Sequence, residues 1–151
     1  MRYLGVYIST NSVFCCLFDN AKKAFYRAFN AIFGKIGRIA SEEVVVHLMR
    51  NKCLPMLLYG IEVCPLKKKQ IRSLDYVINS SFMKLFNTRS AEVVKECKLC
   101  FNFPDIETAK NTRKMKFLRK FVVNYLMNDV CCVFVEGAKN ELCSVRTLLK
   151  S

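Results

Sequence analysis

From Asp19 to Asn128 the apolar residues return at three- and four-residue steps, which confines most of the chain to amphipathic helices packed on one another. The first helix opens with Asp19 as a plausible N-cap and gathers Phe25, Ala28, Phe29, Ile32 and Phe33 on one side, with Lys23, Arg27 and Asn30 opposite. It should stop near Gly34 or Gly37. Ser41 caps a second helix, with Glu42 and Glu43 in the turn where carboxylates suit the helix dipole, running through Val44, Val45, Leu48 and Met49. Pro55 interrupts the next apolar stretch, and a kink is favoured there over an end and restart. After Pro65 a third helix carries the stripe Ile71, Leu74, Ile78, Phe82 and Leu85, ending around Asn87 and Thr88. Ser90 caps a short fourth helix, and Pro104-Asp105 opens a long fifth one with Met115, Leu118, Val122, Tyr125 and Leu126 inward.

The first eighteen residues follow a different rule. Tyr3 to Ile8 and Val13 to Phe18 are rich in β-formers, and Ser9 to Ser12 supplies turn chemistry between them, so a β-hairpin is expected. An isolated hairpin is marginal in water, and no later segment offers a clear third strand. The tail from Val130 to Val135 reads equally as buried helix or strand. The expected organisation is therefore mainly α: a hairpin over 1–18, a helical bundle over 19–128 and a tail over 129–151.

Charge points to the partner class. The chain has 25 Lys and Arg against 12 Asp and Glu, a formal charge of +13, and this excess draws polyanions. Lys67-Lys68-Lys69 stands in or before the first turn of the third helix, where cations oppose the dipole. A phosphate would relieve that opposition; equally, three lysines can simply keep a loop solvated. The fifth helix spreads Lys110, Arg113, Lys114, Lys116, Arg119 and Lys120 over most of the surface its apolar stripe leaves open. Phe117 and Phe121 project among them, and such interleaving suits base stacking, although Phe at i and i+4 more commonly packs on a neighbouring helix. Lys23 and Arg27 make a third, weaker patch.

Other classes are harder to support. The longest run without a charged residue, Tyr3 to Phe18, falls short of the roughly 20 apolar residues of a membrane span, so no membrane partner is expected. Nine scattered cysteines, an odd number, read as free thiols in a reducing compartment, nuclear or cytoplasmic. Cys97 and Cys100 have a zinc-like gap, but the remaining cysteines and the single histidine, His47, are poorly spaced to complete a site. No metal or cofactor is expected. No two aspartates are neighbours, no glycine-rich phosphate loop is present, and no nucleophile and base are suggested by spacing.

The order of the pieces carries a resemblance. Tyr3-Leu4-Gly5-Val6, the basic helix Ala24 to Asn30, the run Leu54-Pro55-Met56-Leu57-Leu58-Tyr59-Gly60-Ile61-Glu62, then Arg72 to Val77 and Phe82 to Phe86 resemble, over about residues 2 to 120, the region following the catalytic core in reverse transcriptases of non-LTR (LINE-type) retrotransposons. The resemblance implies that Tyr3, Leu4 and Gly5 match a strand closing the palm near the primer grip, and that the helices match a thumb holding the template-primer duplex. That family's catalytic aspartates lie upstream of the matched strand, so no catalytic residue carries over, and the chain is expected to be a thumb fragment without its own polymerase activity. The implied partner is the backbone of an RNA–DNA or RNA duplex, with Lys23, Arg27, Lys67, Lys68, Lys69, Arg72, Lys110, Arg113 and Lys114 as candidate phosphate contacts, and the upstream palm and fingers as missing partners. A helical protein-interaction module or an inert transposon-derived relic is the alternative.

Overall fold

The computed structural model describes residues 2–3, 6–9, 15–37, 39–64, 66–125 and 132–149. The chain is mainly helical, as the apolar periodicity requires. Three short strands come first: β1 (Arg2–Tyr3), β2 (Val6–Ser9) and β3 (Cys15–Leu17), forming an antiparallel sheet in the order β1-β2-β3. Tyr7, Ile8 and Ser9 pair with Leu17, Cys16 and Cys15, which is the expected hairpin. The reading of Tyr3 to Ile8 as one continuous strand is corrected, because Tyr3 pairs antiparallel with Val6 and the two therefore belong to different strands. The third strand that an isolated hairpin lacks thus comes from within the first expected one.

Helix α1 spans Asp19–Ile36 and stops at Gly37, whose N–H donates to the Phe33 carbonyl at 2.9 Å. Phe18, not Asp19, occupies the N-cap position; Asp19 lies inside the first turn and pairs with Lys22 at 3.1 Å. Helix α2 (Glu42–Leu48) runs without a break into a π-helical turn, Met49–Cys53, and then α3 (Leu54–Leu57). The cause is Pro55: it has no N–H to give the carbonyl four residues back, and the wider turn, in which the Leu54 N–H bonds the Met49 carbonyl, absorbs that missing bond.

Helix α4 (Lys68–Leu85) and helix α5 (Ala91–Cys100) end in the same way. Asn87 and Asn102 take left-handed φ values of 47° and 51°, and the next N–H reaches back to a carbonyl five residues earlier: Thr88 to Met83 at 3.0 Å, Phe103 to Lys98 at 2.8 Å. Asparagine here does what glycine usually does at a helix end. The second of these turns drives Phe103 inward, edge-on to Phe82 with centroids 5.1 Å apart. Arg50, on the π-helical turn, lies over the Phe103 ring at 5.7 Å and donates to the Phe101 carbonyl, tying that turn to the end of α5.

The chain groups into two compact units, Met1–Gly60 with Cys64–Ile106 and Ile61–Val63 with Glu107–Ser151. The core of the first unit is Phe25, Phe29, Val45, Met49, Leu57, Leu74, Ile78, Phe82 and Val94, all fully buried or nearly so. In the second unit α6 (Ile106–Tyr125) buries Asn111 and Leu118, and α7 (Cys132–Leu148) buries Ala138 and Val145. The tail whose state was open is therefore helical from Cys132, while Val130 lies outside the described residues.

Cys16 on β3 and Cys64 form a disulfide, so the reading of these two as free thiols is corrected. The bond spans 48 residues, enclosing α1, α2 and α3. Loop closure of that length is worth at most about 4 kcal/mol of unfolded-state entropy. Urea unfolding followed by circular dichroism, with and without a reductant, should show a lower midpoint for the reduced chain and for Cys16→Ser, with little loss of helix signal before the transition. Identical midpoints would mean that this pairing contributes nothing to stability.

Candidate nucleic-acid interface

Three hydrogen bonds set the geometry of the basic residues in the first unit. Gln70 Nε2 donates to the Cys16 carbonyl at 3.1 Å, the Tyr26 hydroxyl meets Ser80 Oγ at 2.8 Å, and Lys84 Nζ donates to Asn30 Oδ1 at 2.8 Å. Each joins residues 54 positions apart, so α1 and α4 lie side by side, parallel and in register. Ser80 Oγ also donates to the Val77 carbonyl at 2.9 Å, which leaves the tyrosine hydroxyl as donor in the middle pair. Lys84 further rests on the Phe33 ring, 5.2 Å from its centroid.

Both helices bury one side in the same core, through Phe25 and Phe29 on α1 and through Leu74, Ile78 and Phe82 on α4. At about 100° per residue, the side of each helix opposite its core stripe then faces the same way, outward. Lys23 and Arg27 occupy that side of α1; Lys68, Lys69, Arg72 and Tyr76 occupy it on α4, and all six are exposed. The structure thus brings together on one face two basic groups that lie more than forty residues apart in sequence.

Lys67 stands at the N-cap of α4 with its backbone extended, and its N–H donates to Gln70 Oε1 at 3.0 Å. Gln70 therefore links the lysine triplet to strand β3 through its two amide atoms. The carboxylates bordering the face are already engaged: Asp19 by Lys22, and Asp75 by Lys98 at 2.9 Å and by Asn79 at 3.0 Å. Among the described residues the six cations Lys23, Arg27, Lys67, Lys68, Lys69 and Arg72 make no ion pair.

Tyr76 is the member of this face that the sequence reading missed. Its signal was present: it follows Arg72 by one turn and falls opposite Leu74, Val77 and Ile78. The primer-grip match is less accessible, since Leu4 and Gly5 lie outside the described residues and Tyr3 is described only as part of β1.

In the second unit the expected contacts redistribute. Lys114 is engaged by Glu141 of α7, and Lys110 and Arg113 are half-buried. The outermost cations of α6 are instead Lys116, Arg119 and Lys120. Phe117 and Phe121 stack on each other, centroids 6.3 Å apart at 29°, with Phe121 half-buried and Phe117 39% exposed.

His47 is exposed on α2 and accepts a 2.7 Å hydrogen bond from Asn51. Among the described residues no three His, Cys, Asp or Glu side chains are grouped to hold a metal ion. Burial, then the neighbouring Cys100 and Glu96, push the Cys97 thiol up. No helix among the described residues is long and apolar enough to cross a membrane. No protein-family model matches the chain, and no curated protein or solved structure is significantly similar to it.

The cysteines give a direct check of this packing. Burial pushes the Cys53 thiol up to about 11, whereas Cys100 and Cys143 are exposed. At pH 8 iodoacetamide should label Cys100 and Cys143 well before Cys53, as read by peptide mass spectrometry. Early labelling of Cys53 would contradict the buried π-helical turn.

Proposed function

We propose that this chain binds the phosphate backbone of an RNA–DNA or RNA duplex, in the manner of the thumb region of a non-LTR reverse transcriptase, and carries out no nucleotide transfer of its own. The observation that carries the reading is the outward face of the α1–α4 pair. Lys23, Arg27, Lys68, Lys69 and Arg72 converge there, Lys67 precedes them at the N-cap of α4, and the adjoining carboxylates are held by other side chains. A surface of this kind neutralises phosphates and releases their counterions, so it contributes affinity with little dependence on base sequence. The ordered motifs from Tyr3-Leu4-Gly5-Val6 to Phe82-Met83-Lys84-Leu85-Phe86 supply the family part of the proposal. In this reading the nine contacts divide in weight: the six of the first unit carry binding, and among Lys110, Arg113 and Lys114 the last is already spent on Glu141.

Fluorescence anisotropy with a labelled RNA–DNA hybrid over a range of salt tests it. Affinity should fall steeply with salt and be much the same for unrelated sequences. Replacing Lys67, Lys68 and Lys69 together by Ala should weaken binding about a hundredfold near 0.1 M salt and flatten the log–log salt slope by about 2–3. A salt-independent affinity, or an unaltered slope in the triple variant, would sink the proposal.

A further inference from the structure

Backbone binding requires cations, and Tyr76 is not one. It is 66% exposed, it lies on the same outward side of α4 as Lys69 and Arg72, and it makes no hydrogen bond or ring contact among the described residues. An aromatic ring left in water beside a row of cations has no packing role among the described residues. We propose that Tyr76 is a stacking platform for an unpaired base, so that the face takes a nucleic-acid strand at a point where it leaves the duplex, in preference to uninterrupted duplex. The inference rests on the nucleic-acid reading above and adds to it the form of the ligand.

The geometry supports this in two ways. In a duplex the face of each base is covered by its neighbours, and a side chain standing out from a convex helix surface meets only phosphates, sugars and groove edges. A ring is useful there only where a base is unstacked, and base–aromatic stacking beside a backbone-tracking row of cations is how single strands are held without sequence preference. The ring is also flanked on the side that matters. Arg72 and Lys69 precede it by four and seven residues on α4, within two turns along the same stripe, while Lys23 and Arg27 project from the parallel α1. A strand tracking those cations passes the ring. Asp75, the carboxylate next to it in sequence, is tied to Lys98 and Asn79 and so does not repel the incoming phosphate.

The test compares two RNA–DNA hybrids of the same paired length, one blunt and one with a single-stranded extension of about eight nucleotides. Their affinities for the wild-type chain, Tyr76→Ala, Tyr76→Phe and the triple lysine variant are measured by anisotropy at one salt concentration. The wild type should bind the extended hybrid about five- to a hundredfold more tightly; Tyr76→Ala should lose that advantage and Tyr76→Phe should keep it. Because the ring is exposed, thermal unfolding of both variants should match the wild type. Equal wild-type binding of the two hybrids, an undiminished advantage in Tyr76→Ala, or a loss in Tyr76→Phe as large as in Tyr76→Ala would each overturn the stacking role, the last by assigning the contact to the hydroxyl. The nucleic-acid reading fails separately, if the triple lysine variant binds both hybrids as well as the wild type does. Failure of the wild type to bind either hybrid ends both.

Discussion

The parallel pairing of α1 with α4 is the constraint from which the rest of the first unit follows. Helices joined by short loops pack antiparallel, so a parallel pair demands a segment that carries the chain back to its starting end. Here that segment is α2, the π-helical turn, α3 and the stretch through Cys64, and its return is fastened by the Cys16–Cys64 disulfide and by Gln70 on the Cys16 carbonyl. With α4 beginning five residues ahead of α1, the 54-residue offset of Tyr26 with Ser80 and of Asn30 with Lys84 keeps the two helices in one register where they lie side by side. The N-terminal, electropositive ends of both dipoles then lie at the same end, where Lys67, Lys68 and Lys69 add full charges.

That arrangement also decides where the carboxylates go. With 12 acids against 25 bases, the placement of each acid matters. Asp75 joins α4 to α5 through Lys98, and Glu141 joins α7 to α6 through Lys114, so these acids connect elements and leave the outward cations uncompensated. Asp19 is spent on the neighbouring turn of its own helix. With Asp19 and Asp75 so engaged, the outward face of the α1–α4 pair is cationic, and its field extends over about a Debye length of 8–10 Å at moderate salt.

What the residues revealed in advance, and what they concealed, divides along the range of the interaction. The stripe of Ile71, Leu74, Ile78 and Phe82 marks α4 because burial on one helix side is a local, periodic requirement. Ser90 was legible as a cap for the same reason, and it accepts the Val93 N–H as expected. The ends at Asn87 and Asn102 were harder, since asparagine tolerates the left-handed region without being confined to it. Spacing cannot say which of nine cysteines meet, so Cys16 with Cys64 was hidden, as was the convergence of Lys23 and Arg27 with Lys68 and Arg72. On α6 the candidate contacts took in Lys114 and left out Lys116, although Glu141 holds Lys114 and Lys116 is exposed, because spacing along one helix does not show which cations a second helix meets.

The cost of the face falls on the fold that carries it. Six cations that make no ion pair among the described residues, carried on and beside two adjoining helices, repel one another in the folded state and are farther apart in the unfolded chain, so the free energy of the compact form is raised by the very feature that attracts a polyanion. The opposing terms are short-ranged: Phe25 stacked on Phe29 with centroids 6.4 Å apart, Phe82 against Phe103, and the hydrogen bond that anchors Arg50 to the end of α5. Salt acts on the two sides oppositely, screening the repulsion and so favouring the free fold, while reducing the counterion gain on binding. A bound polyanion removes the repulsion at its source and stabilises the native state by mass action. The lysine triplet and the aromatic core are therefore coupled through free energy without touching, and a change that loosens the core around Phe82 weakens the platform on which the cations and Tyr76 are held in line.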